Sequence, residues 1–324
     1  MLVKVPKGWE IPEREATPES VYLNRRKFLG SLGVAGVYTL ALMSGCAKFG
    51  EKEPPTQPAS AWPLSEAEKS VYPAPRNPEF VLDRPITDEA VAAHYNNFYE
   101  FSSSKDNVWK KVEGFVTRPW QVEVTGLVEK PMVFDPDDLI RRMPMEERLY
   151  RLRCVEAWAM AVPWTGSPMK AFIDHVQPLS KARFVKFITV QLNKTGDFFS
   201  FGYPWPYTEG LTMEEALNPL TLLVTGIYGH PLPKQHGAPL RLVVPWKYGY
   251  KNIKSIVQIE FTDRQPATFW NTVAPDEYDF WANVNPKVPH PRWSQETERM
   301  IGTNERRSTL LYNGYGQYVA HLYA

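Results

Sequence analysis

The stretch Tyr150-Arg151-Leu152-Arg153-Cys154-Val155-Glu156-Ala157-Trp158-Ala159-Met160-Ala161-Val162-Pro163-Trp164 decides how the rest of the chain is read. Its first half alternates with the period of a strand. That puts Arg151, Arg153 and Val155 on one face and Cys154 on the other. Pro163 and Gly166 predict a break after the short apolar run. Cys154 is one of two cysteines in the chain. The other, Cys46, ends an export-type segment. If cleavage falls beyond it, the mature protein has one thiol and forms no internal disulfide. Such a cysteine is buried and inert, reactive, or a metal ligand. The arginines at i−1 and i−3 favour the thiolate, which is the form that binds metals. A core role and a functional role are equally good readings of the spacing alone.

Upstream, Arg25 and Arg26 precede an uncharged segment from Phe28 to Ala47 that is rich in Gly, Ala and Leu. A paired arginine before a modestly apolar stretch is the pattern of a twin-arginine export signal. The alternative is a membrane anchor, and the glycines and serines argue for export. Gly45-Cys46 suits lipid attachment at Cys46, and Ala47 suits ordinary cleavage; both stay open. The expected organisation is therefore a signal over 1–47, a Pro-rich tether or extended wrap over 48–79, and a domain over 80–324.

The 324 residues carry a net charge of +1, so bulk charge offers nothing to nucleic acid. Thirty prolines, 11 Trp and 16 Tyr predict a loop-rich fold containing strands. Thr87 is expected to cap a short helix leading into Tyr95-Asn96-Asn97-Phe98-Tyr99-Glu100-Phe101. Strands are expected over Trp120–Val128, 183–192, Leu220–Ile227, after Gly237, and over Ser255–Phe261. Helices are expected over 135–142, 169–176 and 212–217, the last with Thr212 and Glu215 spaced as a capping box. The final sixty residues read as coil.

Phosphate loops, His-Glu-x-x-His helices, Cys-x-x-Cys pairs and serine nucleophile elbows are all missing. What stands out is a cluster of His236, Arg241, Trp246, Lys247, Tyr248, Lys251, Asn252 and Lys254. It reads either as a concave anion site or as a solvated basic rim. Glu156 is either a group that tunes the site and relays protons, or a carboxylate paired with Arg151 or Arg153. Trp246, Tyr248 and the C-terminal aromatics form an apolar mouth or, for most of them, core.

Several runs carry a resemblance. They are Arg151 to Trp158, Tyr95 to Phe101, Gly237 to Tyr250, Ala274 to Tyr278, Ala282 to Pro286 and His290 to Gln295. Together they are similar to the catalytic subunits of bacterial periplasmic methionine-sulfoxide reductases, of the sulfite-oxidase-like molybdopterin family. The likeness extends from about residue 80 to the end. It implies an α+β fold of mixed strands, short helices and long loops, and a Mo-molybdopterin cofactor. It also implies that Cys154 is the sulfur ligand of the metal. Asn96, Tyr99 and Glu100, Thr189, and then His236, Arg241, Asn252, Ile253 and Lys254 would contact the cofactor. His236 stands where the enteric members carry Asn. The chemistry belongs to the cofactor, with the protein supplying orientation and electrostatics.

The implied reaction is reduction of methionine sulfoxide, protein-bound or small, in the periplasm. Electrons would come from a membrane haem-binding subunit paired with a single catalytic chain, since no haem-attachment Cys-x-x-Cys-His is present. A sulfite-oxidising relative is the enzymatic rival, and a carboxylate two residues after the ligand argues against it by repelling sulfite. The non-enzymatic rival is an exported binding protein or lipoprotein with a structural thiol.

Overall fold

The structure, a computed structural model, describes residues 64–192 and 203–324. The expected signal, with Arg25, Arg26 and Cys46, and the first part of the Pro-rich stretch lie outside the described residues. Residues 64–79 are held to the body by the Arg76–Glu147 ion pair at 2.7 Å and by Tyr72 Oη against Thr225 Oγ1 at 2.7 Å.

The strands in chain order are β1 (Val122–Gly126), β2 (Met132–Phe134), β3 (Glu146–Arg153), β4 (Trp158–Pro168), β5 (Phe184–Thr189) and β6 (Thr208–Thr212). They continue with β7 (Leu222–Ile227), β8 (His230–Pro231), β9 (Arg241–Val243), β10 (Ile256–Thr262), β11 (Thr297–Met300) and β12 (Arg306–Ser308). One sheet runs β2-β1-β10-β5-β6. The other runs β12-β11-β4-β7-β8, with β3 also on β4 and β9 also on β7. Both mix parallel and antiparallel pairs, β1 with β10 and β10 with β5 in the first, β11 with β4 and β4 with β7 in the second. Helices are short; the longest described, Met169–Val176, has eight residues. The α+β class expected from the sequence is what the chain adopts.

The quoted stretch folds as one long hairpin. β3 and β4 pair from Glu146 opposite Gly166 to Arg153 opposite Ala159. The chain reverses over Cys154–Ala157, closed by Cys154 N–H to Trp158 O at 2.9 Å and by Ala157 in a left-handed conformation, φ 63°. Cys154 thus sits at the hairpin tip, just past the strand. The predicted break at Pro163 and Gly166 does not occur. Counting alternately from the bonded Cys154–Trp158 pair, Pro163 falls opposite Leu149 at a position where β3 asks no N–H of it, and on its other side, just past the end of β7, its carbonyl accepts from Tyr228 N–H at 3.0 Å. Gly166 marks a close approach instead. A Cβ there would lie 2.2 Å from Leu223 O, beside a bulge at Thr165/Gly166.

Arg153 is fully buried, and its guanidinium donates to the Cys154 carbonyl. It reaches Gln295 Oε1 at 2.7 Å and Glu298 at 3.3 Å. Arg84 meets the same Glu298 at 2.5 Å. That buried ion network explains why β11 was missed: its central inward residue is a glutamate, so no apolar period shows. The capping box forms as expected, Glu215 N–H to Thr212 Oγ1 at 3.1 Å and Thr212 N–H to Glu215 Oε2 at 3.0 Å. Thr87 is not the cap. Asp88 takes that place, accepting from Val91 N–H at 3.2 Å, while Thr87 Oγ1 accepts from Ala161 N–H at 3.0 Å and ties this segment to β4.

Candidate active site

Cys154 is 4% exposed and lies where two cavities meet. The first, about 530 Å³, is a mouth with Tyr99, Tyr250, Trp270 and Tyr278 on its walls and Cys154 and Glu156 in its lining. The second, about 490 Å³, runs inward past Trp164, His236 and Arg241. Cys154, Asn97 and Lys254 line both.

The thiol has a polar shell that the hairpin tip builds. Asn97 Nδ2 donates to Cys154 Sγ at 3.2 Å and approaches Glu156 Oε2 at 3.5 Å. Glu156 is bound by Lys105 at 2.8 Å and by Trp158 Nε1 at 3.3 Å. It therefore pairs with neither Arg151, which reaches Asp83 at 3.1 Å, nor Arg153. Burial works to raise the Glu156 carboxyl, but Lys105 and the surrounding donors outweigh it and hold it below its ordinary value. Burial, with the adjacent Glu156 charge, pushes the Cys154 thiol up to about 12. Lys105 and Arg153 pull the other way, but burial and the Glu156 charge outweigh them. A metal would displace that proton, since a coordinated thiol is deprotonated outright.

The basic cluster is no solvated rim. Lys247 and Lys251 have no exposure and are paired, with Glu215 at 2.5 Å and Glu209 at 2.9 Å. Trp246 is fully buried and donates to Tyr323 Oη at 2.9 Å, so it is core, and Tyr248 is buried outside the mouth. Arg241 and Lys254 differ. Arg241 stacks over Trp164 at 4.6 Å and donates to His236 O at 2.8 Å and Asn252 O at 3.3 Å. Burial lowers its guanidinium to about 9. Lys254 makes no ion pair among the described residues, and burial followed by Arg241 lowers it to about 7. His236 is lowered to about 3 by burial and then by Arg241, so it is neutral.

Of the other expected contacts, Glu100 and Ile253 line the mouth, and burial raises Glu100 to about 7. Asn96 lines the inner cavity, with its amide donating to Ala93 O at 2.9 Å. Asn252 Oδ1 accepts from Val244 N–H at 2.7 Å. Thr189 lines neither cavity; its hydroxyl donates to Lys254 O and to Ser255 O, fixing the turn that carries Lys254. Three residues were missed: Asn97, Lys105 and Trp164. Asn97 stands beside Asn96 in a quoted run, and only the turn geometry shows which amide faces the sulfur.

A family model described as an oxidoreductase molybdopterin binding domain matches residues 110–270, which defines the class of this fold and site. The chain is 45% identical over 323 residues to the protein-methionine-sulfoxide reductase catalytic subunit MsrP of Burkholderia mallei, covering 98% of this chain and 94% of that one. It is 44% identical over 339 residues to the protein of the same name from Ralstonia nicotianae, covering 100% and 97%. The chain belongs to this family of molybdopterin-dependent oxidoreductases. The sulfane dehydrogenase SoxCD of Paracoccus pantotrophus superposes with a TM-score of 0.41 at 17% identity, over 72% of this chain and 59% of that one.

The residues fit the cofactor. Arg241 Nε, Asn252 Nδ2 and Trp164 Nε1 are buried donors without a partner among the described residues, and an anionic, many-acceptor group would satisfy such donors. Among the described residues no three His, Cys, Asp or Glu side chains form a metal-ligand set. A metal at Cys154 would therefore take its remaining donors from the pterin and solvent, and soft sulfur suits it.

Proposed function

We propose that this chain reduces methionine sulfoxide to methionine, with protein-bound residues as its main substrate. The reading rests on one arrangement: a buried thiol at a hairpin tip, open to an aromatic mouth on one side and to a cavity lined by Arg241 and Lys254 on the other. The names of its relatives supply the substrate. Cys154 would hold the metal, and Arg241, Asn252 and Lys254 the pterin and its phosphate. When bound, the cofactor supplies oxygen-atom transfer.

The chain's own residues do the rest. The walls of the mouth accept an apolar thioether side chain and exclude water. Asn97 Nδ2 fixes the sulfur. Lys105 fixes Glu156, whose Oε2 is 3.7 Å from Cys154 Sγ and can carry a proton to or from the oxygen that departs. Electrons would come from a membrane haem-binding partner, with the catalytic chain exported to the periplasm by the twin-arginine route.

The arrangement of charge disfavours sulfite as substrate. The carboxylate nearest Cys154 is Glu156, and both nearby arginines are taken up by carboxylates of their own, Arg151 by Asp83 and Arg153 by Glu298. The test is activity on methionine sulfoxide and on sulfite side by side, with molybdenum measured on the same sample. About one molybdenum per chain with sulfoxide reduction is expected. Faster turnover of sulfite would overturn the substrate, and a metal-free protein from a cofactor-competent host would overturn the class.

A further inference from the structure

Converting a sulfoxide into a thioether and water consumes two electrons and two protons. How electrons reach a thiol that a bound protein substrate covers is a question of this chain's geometry, and the answer rests on the reading above. Outside the mouth, one aromatic pair is bonded into the tip that carries Cys154. Trp293 Nε1 donates to Val155 O at 2.7 Å, and Val155 is the next residue after the thiol. The Trp293 ring stacks on His290, centroids 3.8 Å apart and 5° from parallel. The Arg292 guanidinium lies 4.9 Å over the same indole. Pro291 and Arg292 are exposed, Trp293 is half-buried and His290 is buried, so the pair leads from surface to interior. Neither ring lines the mouth.

The bond is not needed to satisfy Val155 O. Gln295 Nε2 donates to that oxygen at 2.6 Å. A single donor already meets the ordinary demand of a buried carbonyl. An indole placed there as well, half at the surface, is a connection more than a repair.

We propose that Trp293, stacked on His290, is the electron entry point. An electron from a one-electron haem donor seated against the Pro291–Arg292 edge passes through the indole. It crosses the Trp293 N–H to Val155 O hydrogen bond and reaches Cys154 Sγ along the intervening covalent bonds. No bond forms or breaks on this route. Each transfer oxidises one ferrous haem to ferric, and two transfers with two protons taken up at the mouth complete the reduction. The route leaves the mouth free for substrate while the donor is docked.

A ruthenium bipyridyl photoreductant tests this without the natural partner and without turnover. It is attached to a thiol introduced by Arg292→Cys, or by Lys130→Cys on the β1–β2 connection, in the molybdenum-loaded full chain carrying Cys46→Ser. Electron arrival is followed by the EPR signal and absorbance of the metal centre. From Arg292→Cys, adding Trp293→Phe should slow arrival by about tenfold or more, and from Lys130→Cys it should change nothing. Gln295→Leu removes the other bond to Val155 O and should leave the rate intact. Equal rates with and without the indole overturn the proposal. So does a Gln295→Leu slowing as large as that of Trp293→Phe, which would make the effect one of loop position. Should Trp293→Phe fail to retain metal, His290→Leu breaks the stack and should slow arrival; an unchanged rate overturns the route. A preparation without molybdenum sinks the reading of the site, whereas a loaded one indifferent to Trp293 sinks this inference alone.

Discussion

Two regions of the same nineteen-residue run treat positive charge in opposite ways. Lys247 and Lys251 are buried against Glu215 and Glu209, and Lys247 also donates to Trp281 O at 2.6 Å and Asn283 Oδ1 at 3.0 Å. Arg241 and Lys254, a few residues away, make no ion pair among the described residues, although the buried Glu100 acts on Lys254 at longer range, and both line the inner cavity beside Cys154. Removing a charge from water costs several kcal/mol unless a partner repays it. The first region repays that cost inside the protein. The second does so less fully, and the anionic end of the proposed cofactor would complete it. The lesson is that in a buried basic cluster the unpaired members, not the cluster, mark the ligand.

The sharpest way to break this comparison is at the sulfur. Cys154→Ala should leave the fold intact and abolish both sulfoxide reduction and metal retention. Circular dichroism with molybdenum analysis checks it, and a variant that keeps its metal would separate the thiol from the site. Next in size is the paired region. Lys247→Met strands Glu215 and should cost about 3–5 kcal/mol of stability, read from the denaturant midpoint, while the molybdenum content of the folded fraction stays unchanged.

Arg241→Met should do the reverse. It should cost the cofactor-free protein less than Lys247→Met does, because no carboxylate is stranded. It should weaken cofactor retention by about 1.5–3 kcal/mol, the worth of charge-assisted hydrogen bonds, measured by loss of molybdenum on dilution. Equal retention would remove Arg241 from the anion site.

The smallest effect is a pH dependence. His236 is neutral in the fold, titrating at about 3, against an ordinary value of 6.5. Between those values the unfolded chain binds a proton at this residue and the folded chain does not. Stability of the cofactor-free protein should therefore fall as pH drops from 6.5 towards 3. His236→Asn should make that fall shallower in a comparison of melting temperatures across pH. An identical slope in both proteins would mean that His236 is not held neutral.

Much of this was legible in the chain. The α+β class, the helix over 169–176 and the capping box at Thr212 were all readable from period, caps and motif. Where local signals misled, tertiary contacts had decided the matter. Pro163 and Gly166 look like breakers, yet the hairpin register excuses one and the Leu223 backbone requires the other. Arg153 does favour the thiolate as its spacing suggests, but the sequence does not show that burial and Glu156 outweigh it. The division of the basic cluster was hidden for the same reason. Glu209 and Glu215 are far from Lys251 and Lys247 in sequence, so no local pattern shows which cations have partners. Thr87 was a fair choice of cap until Ala161 claimed its hydroxyl.

Sulfur coordination of the metal in the loaded enzyme is the most direct test of the whole account, and X-ray absorption at the molybdenum edge reads it. One more sulfur neighbour than the pterin itself supplies is predicted. A metal whose only sulfur neighbours are those of the pterin would show that Cys154 does not grip it, and would contradict the account.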